Sequence, residues 1–148
     1  MAFVSVTRLG LRSIRYWIPF AWHTFRSLQQ LRQTPGLLQG SLIRDAHRVY
    51  WTLTVWQDEE SMRRYRNNGA HRQVMPKLMQ WCNQASVVHW TQVSEALPTV
   101  EQAHERMVAE GRLSKIKYPD KEHLAQQFSV PQPKKGNLVV RPTSKKDG

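Results

Sequence analysis

Cysteine occurs once in the 148 residues, at Cys82, so no disulfide can close within the chain, and a buried, inert thiol is its expected role. Long apolar runs are missing too: none approaches the roughly 20 residues of a membrane span. Arginines at 8, 12, 15 and 26 interrupt any secretory signal core. These absences predict a soluble, cytoplasmic protein. Acidic residues are scarce at the start, the first being Asp45. An acid-free, Arg-bearing N-terminus also suits a transit peptide, but Phe3-Val4-Ser5-Val6 alternates as a strand does and so belongs to the fold. No internal repeat, Gly-rich phosphate loop, Ser-His-Asp set or carboxylate pair stands out. A zinc site needs three or four converging ligands, which one cysteine and the scattered His23, His47, His104 and His123 do not supply.

Hydrophobic residues make up 40% of the chain and six are tryptophans, enough to fold one domain with a real core. The net charge is +11, which favours an anionic partner. Residues 1–98 hold 12 Lys or Arg against 5 Asp or Glu, and residues 99–148 hold 10 against 6, so the excess is spread rather than blocked and a nucleic-acid partner is disfavoured.

The run Tyr50-Trp51-Thr52-Leu53-Thr54-Val55-Trp56 is the most informative stretch. Alternation puts Trp51, Leu53 and Val55 on one face and Tyr50, Thr52, Thr54 and Trp56 on the other. Bulk on both faces marks a central strand covered twice. Around it the patterning predicts a strand at Ala2–Leu11, a helix at Trp17–Gln33 with Ala21, Phe25, Leu28 and Leu31 inward, and a hairpin from Leu37–Arg44 through Asp45-Ala46-His47 into Arg48–Trp56. Asp58 caps a helix that ends near Asn67-Asn68-Gly69. A helix from about Ala70 to Cys82 follows, with Val74, Leu78 and Met79 inward and a kink or restart at Pro76. A strand at Ala85–Val93 completes βαββαβ. That order is an α+β, ferredoxin-like antiparallel sheet with helices on one face. The other, aromatic face must be hidden, which predicts a homodimer.

Thr99-Val100-Glu101-Gln102 reads as a capping box opening a further helix, with Val100, Ala103, Met107 and Val108 apolar and Gly111 as its stop. The expected organisation is a domain at 1–97, a helical extension at 98–128 and a basic, mobile tail at 129–148.

With this order, the strand Trp51–Trp56 and the segment Asn67-Asn68-Gly69-Ala70-His71-Arg72, residues 1–95 resemble the dimeric α/β-barrel superfamily. The branch concerned holds small proteins similar to spheroidene monooxygenase and, more distantly, the antibiotic biosynthesis monooxygenases. The resemblance implies a monooxygenase-like protein, haem-dependent or cofactor-independent, with an aromatic, quinoid or polyene ligand in an apolar pocket. Fold transfers better than reaction, so a non-enzymatic binding module stays open beside it.

His71, at a helix entry, is the candidate base, or the axial ligand if haem is bound. The alternative is a histidine bonded to a loop carbonyl. Asn68 is the candidate amide donor to a substrate oxyanion, against a plain helix-terminating role. Trp22, Trp51, Trp56 and Trp90 are candidate pocket walls, although tryptophans at such spacing more often fill cores. Arg8, Arg12, Arg15 and Arg26, interleaved with Tyr16, Trp17 and Trp22, suit a peripheral membrane contact if they do not simply solvate a helix.

Overall fold

A computed structural model describes residues 1–143. Strand β1 (Ala2–Leu11) leads through a short 3-10 turn at Ile14–Tyr16 into α1 (Trp17–Gln33), β2 (Leu37–Arg44), β3 (Val49–Trp56), α2 (Glu59–Arg66), α3 (Gly69–Trp81) and β4 (Cys82–Gln92). The chain continues as α4 (Val100–Glu110), β5 (Arg112–Leu113), the single turn α5 (Lys121–Leu124) and β6 (Leu138–Val140). The six strands form one antiparallel sheet in the order β5-β4-β1-β3-β2-β6, the ferredoxin-like arrangement flanked by two short strands. No helix among the described residues is long and apolar enough to cross a membrane.

The caps explain the boundaries. Asp58 accepts the Ser61 N–H at 2.8 Å and opens α2. Thr99 and Gln102 exchange both bonds of the capping box and open α4. Gly36, at φ +93°, turns α1 into β2 so close to Ser61 that a Cβ there would meet the serine side chain at 2.2 Å. Pro76 does not divide its helix: α3 runs through it as one element, with Pro76 and Arg72 both exposed. The inward stripe of α1 differs from the expected one. Phe20, Ser27 and Leu31 are buried, while Phe25 points out; Met79 of α3 and Val108 of α4 are likewise exposed.

Register divides the sheet into two layers. Phe3 lies opposite Trp56, and that face packs on Leu28 and Leu31 of α1 and Met62 and Tyr65 of α2. The opposite face carries Val4, Val6, Leu53, Val55, Trp51, Val88 and Trp90. It is closed by α4, through Val100, Ala103 and Met107, with Leu97 and Phe128 at the edges. Helices α1 to α3 thus occupy one face and the C-terminal helix the other. The burial from which a homodimer was expected is met inside one chain, and stacking two copies on this face would first require α4 to leave.

The same coverage corrects the reading of Arg8. Alternation seats it on the α4 face, 2% exposed, with its guanidinium 5.6 Å from the Trp51 ring and 5.7 Å from Phe128. It donates to Gln84 at 2.6 Å, and Gln84 in turn donates to Asp120 and Glu122. Arg8 joins the sheet to the α5 region and is not at a surface. Cys82 is buried as expected, which pushes its thiol up to about 12.

Residues 129–143 do not trail free, as the expected mobile tail would. Gly40, Ser41 and Leu42 pair with Val140, Val139 and Leu138, and Val140 is buried beside Leu31, Leu37 and Trp56. The Gln132 N–H donates to Asp45 at 2.7 Å, the Lys134 N–H to the Arg44 carbonyl at 2.8 Å, and the Thr143 N–H to the Arg32 carbonyl at 3.0 Å. Lys145 and Lys146 lie outside the described residues. Asp45 is the knot: one buried carboxylate accepts from the Ala46 N–H, the Trp51 indole at 2.9 Å and the returning Gln132 N–H. It holds the hairpin turn, in which His47 and Arg48 both sit at positive φ, against β3 and the C-terminal segment.

Two outcomes follow from this packing. Asp45→Ala should cost about 2–4 kcal/mol in a denaturant titration, because it orphans a buried indole N–H and two backbone donors. Ending the chain at residue 128 should lower the melting temperature by roughly 5 °C or more, through loss of the β6 ladder and of Val140 burial. An unchanged melt would mean that β6 does not pack.

Candidate functional site

The loop between α2 and α3 is held by a side chain from α1. Gln30 donates to the Tyr65 carbonyl at 3.1 Å and the Asn68 carbonyl at 2.7 Å, and its oxygen accepts the His71 N–H at 2.9 Å. Gly69, at φ +60°, lets the chain pass: a Cβ there would lie 3.0 Å from the Gln30 amide carbon. This clamp fixes the His71 ring 4.7 Å from that of Tyr65, itself 5.7 Å from Trp56. The Trp56 indole donates to Thr54 at 2.8 Å, and Thr54 donates to the Ser5 carbonyl at 3.2 Å. His71, Tyr65 and Trp56 therefore form one packed layer between helices and sheet.

That layer is filled. Burial lowers the pKa of His71 below its ordinary 6.5, outweighing its Nδ1 contact with the Arg66 carbonyl at 3.2 Å, while the Arg66 charge lowers it further. Burial pushes the Tyr65 hydroxyl above its ordinary range, and that hydroxyl donates to the Ser27 carbonyl. His71 is thus a neutral imidazole wedged beside a ring and bonded to a carbonyl. The shallow depression at the α2–α3 junction is lined by Arg66, Asn67, Arg72 and Met75, three polar residues and one thioether, which do not fit the apolar faces of a haem. Asn68 is exposed, and its amide donates to the Arg64 carbonyl at 2.7 Å, a bond that closes the end of α2. Among the described residues no group of three or more His, Cys, Asp or Glu is placed to hold a metal ion.

The four candidate tryptophans do not share a pocket. Trp56 belongs to the layer above; Trp51 and Trp90 lie on the other face of the sheet, beneath α4, where Arg106 stands 5.0 Å from the Trp90 ring. Trp22 is on the outside of α1.

A second concavity lies on the other side of α1. A groove of about 440 Å³ runs between α1 and the β2–β6 edge, within the size range of small-molecule sites. Trp17, Phe20, Phe25 and Tyr50 supply aromatic walls, Leu28, Leu42 and Leu138 aliphatic ones, and Arg44 and Lys135 cations. Phe20 and Tyr50 meet at 4.8 Å. All these walls come from one chain. Successive helical residues turn by about 100°, so Trp17, Ala21 and Leu28 face the groove while His23, Arg26 and Gln30 face α3 on the opposite side. His71 lies across α1 from the groove. One wall is the strand β6, hidden in a polar, Pro-bearing stretch of the sequence; the signal that was there lay in Ala21, Phe25 and Leu28 of the expected α1 stripe and in Tyr50 on the second face of β3.

Comparison with known proteins agrees with the architecture. The chain belongs to the family described as "Domain of unknown function (DUF3291)", whose model matches residues 27–114 and so includes α4. No curated protein matches it. Solved structures of similar fold include SnoaB, a cofactor-independent oxygenase from Streptomyces nogalater, at 18% identity and TM-score 0.53, covering 66% of this chain and 98% of SnoaB. Rv0793 from Mycobacterium tuberculosis is similar at 10% identity and TM-score 0.58, over 65% of this chain and 99% of its own. A conserved protein from Methanosarcina mazei Go1 is similar at 12% identity and TM-score 0.57, over 62% and 93%. The fold is that of the antibiotic biosynthesis monooxygenase-like proteins.

The lowered pKa of His71 sets a pH dependence. The folded protein holds the imidazole neutral, whereas the unfolded chain binds a proton as pH falls through about 6.5, so this contribution to stability is complete above that pH and is lost below it. His23, His89 and His123 are shifted the same way by burial. Denaturant titrations from pH 7.5 down to 5 should show falling stability, and His71→Gln should remove part of that slope. An unaltered slope would show His71 to be unshifted.

Proposed function

We propose that this protein binds a flat aromatic, quinoid or polyene molecule in the groove between α1 and β2–β6, as a monooxygenase-like member of its fold class. The observation that carries the reading is the groove itself, a concave surface with four aromatic walls and two cations. Aromatic faces and aliphatic floor suit a conjugated skeleton. Arg44 and Lys135 suit an oxyanion, whether a carboxylate or the enolate or phenolate of an oxidisable substrate. In a cofactor-independent reaction the substrate would supply the electrons, and the groove would orient it, favour its anion and exclude water. The general base proposed at His71 does not face this groove, so proton removal here rests on substrates that ionise readily beside the two cations. The oxygenase SnoaB shares the fold at low identity and supports the class of chemistry, not a substrate. The second reading, a non-enzymatic binding module, uses the same groove without turnover.

Isothermal titration with a conjugated aromatic acid should give saturable binding to the wild type. Ala21→Trp, which fills the groove from α1, should weaken it at least tenfold, a loss of about 1.4 kcal/mol or more. Arg44→Ala with Lys135→Ala should weaken the acid more than its neutral amide. Oxygen uptake with a quinol-like compound, and a product carrying one added oxygen, would assign an enzyme; binding without uptake would assign the module. Equal affinity in the Ala21→Trp protein would remove the groove from the account.

A further inference from the structure

The 3-10 turn at Ile14–Tyr16 and the first half of α1 are apolar on the outside as well as on the inside. Ile14, Ile18, Trp22 and Phe25 are 71, 74, 60 and 55% exposed, and their spacing sets them along one ridge. Trp22 stacks on Phe25 at 6.4 Å, so the ridge presents a continuous aromatic surface at its centre. A solvent-facing helix side normally carries polar residues, as this one does from Gln29 onward, whereas its first half carries Ile18, Trp22 and Phe25.

The charge around the ridge is of one sign. Arg15 and Arg32 are exposed on or beside it, and Arg26 flanks it from the α3 side, where it donates to Gln73 at 3.3 Å. Neither α1, nor α3 packed beside it, nor the segment 129–143 that closes the groove contains a single Asp or Glu, while these elements also carry Arg72, Lys77, Lys134, Lys135 and Arg141.

We propose that the outer ridge of α1 is a docking surface for a bilayer containing anionic lipid. Ile14, Ile18, Trp22 and Phe25 enter the boundary between headgroups and acyl chains, and the arginines meet the lipid phosphates. Charge complementarity selects this occupant. A second copy would oppose two basic, acid-free faces across the apolar contact, and a nucleic acid would gain nothing from Ile14 and Ile18, which can neither stack on bases nor donate to phosphate. Of the four N-terminal arginines expected at such a surface, Arg15 and Arg26 lie on or beside it and two do not. Arg8 is buried, and Arg12 is engaged by the Gln80 carbonyl at 2.6 Å and by the Tyr118 ring at 4.3 Å. The groove opens beside the ridge, since Phe25 belongs to both and Trp17 stands between them. A lipophilic ligand could then pass from bilayer to groove; the docking itself stands without that step.

The test is flotation of the full chain with vesicles of phosphatidylcholine alone and of phosphatidylcholine mixed with phosphatidylglycerol. Binding to the mixed vesicles, weakened by salt and slight on the neutral ones, is expected. Ile18→Ser with Trp22→Ser, neither of which lines the groove, should reduce partitioning at least tenfold while the melting temperature and the titration of groove ligand stay unchanged. Arg15→Glu with Arg32→Glu should reduce it on anionic vesicles alone. Should a variant fail to fold, quenching of wild-type fluorescence by brominated lipid, lost in Trp22→Phe, supplies the same answer. No binding to mixed vesicles would overturn the proposal, as would binding indifferent to Ile18 and Trp22. So would a lipid-free dimer, or an oligonucleotide complex, that the Ile18 and Trp22 substitutions dissolve.

Discussion

Strand β3 is apolar on both faces, and the rest of the molecule is arranged to keep both dry. Trp51, Leu53 and Val55 look one way, Tyr50 and Trp56 the other, and all five are buried. A single bulky strand of this kind exposes several hundred Å² of apolar surface if either side is left open. Helices α1 to α3 cover one side, as in every sheet of this topology. The chain covers the other with α4, whose Val100, Ala103 and Met107 are buried in one cluster with Val4, Val6 and Leu53. The family match runs through α4. Because the α4 face is occupied, the aromatic-walled groove lies in the other layer, at the edge where β6 extends the sheet.

Much of this architecture was legible in the residues. Alternation placed β1 and β2 at their observed limits, and the Asp58 cap and the Thr99–Gln102 box each depend on local chemistry that a short window contains. The element order then allowed few topologies. What could not be read were contacts between distant segments. Whether α4 or a second copy covers the β3 face is not written in either segment. Strand β6 has only three residues, and its partner lies about a hundred positions earlier. Arg8 could have been placed, since alternation sets it in line with Val4 and Val6; its charge argued for the surface, and a ring on each side with Gln84 between overruled that.

The site was less legible than the fold. His71 does sit at a helix entry, yet its surroundings are those of a structural histidine: a ring against it, a carbonyl on Nδ1, and Gln30 holding its backbone. Asn68 closes the α2 end. The tryptophans scatter over three surfaces because strand alternation and the helical period send them there, and a count of aromatic residues carries no direction. The groove residues come from α1, β2, β3 and the C-terminal segment, and nothing short of the fold brings them together. Gln30, which positions the whole α2–α3 junction, looks in sequence like any polar helix residue.

The most direct measurement is chemical-shift mapping of the isotopically labelled protein titrated with a conjugated aromatic acid. The account predicts perturbations centred on Trp17, Phe20, Ala21, Tyr50, Arg44 and Leu138, with the amides of His71, Asn68 and α4 unmoved. Shifts centred on His71 and Tyr65 instead would place the ligand in the layer described here as filled and would contradict the account.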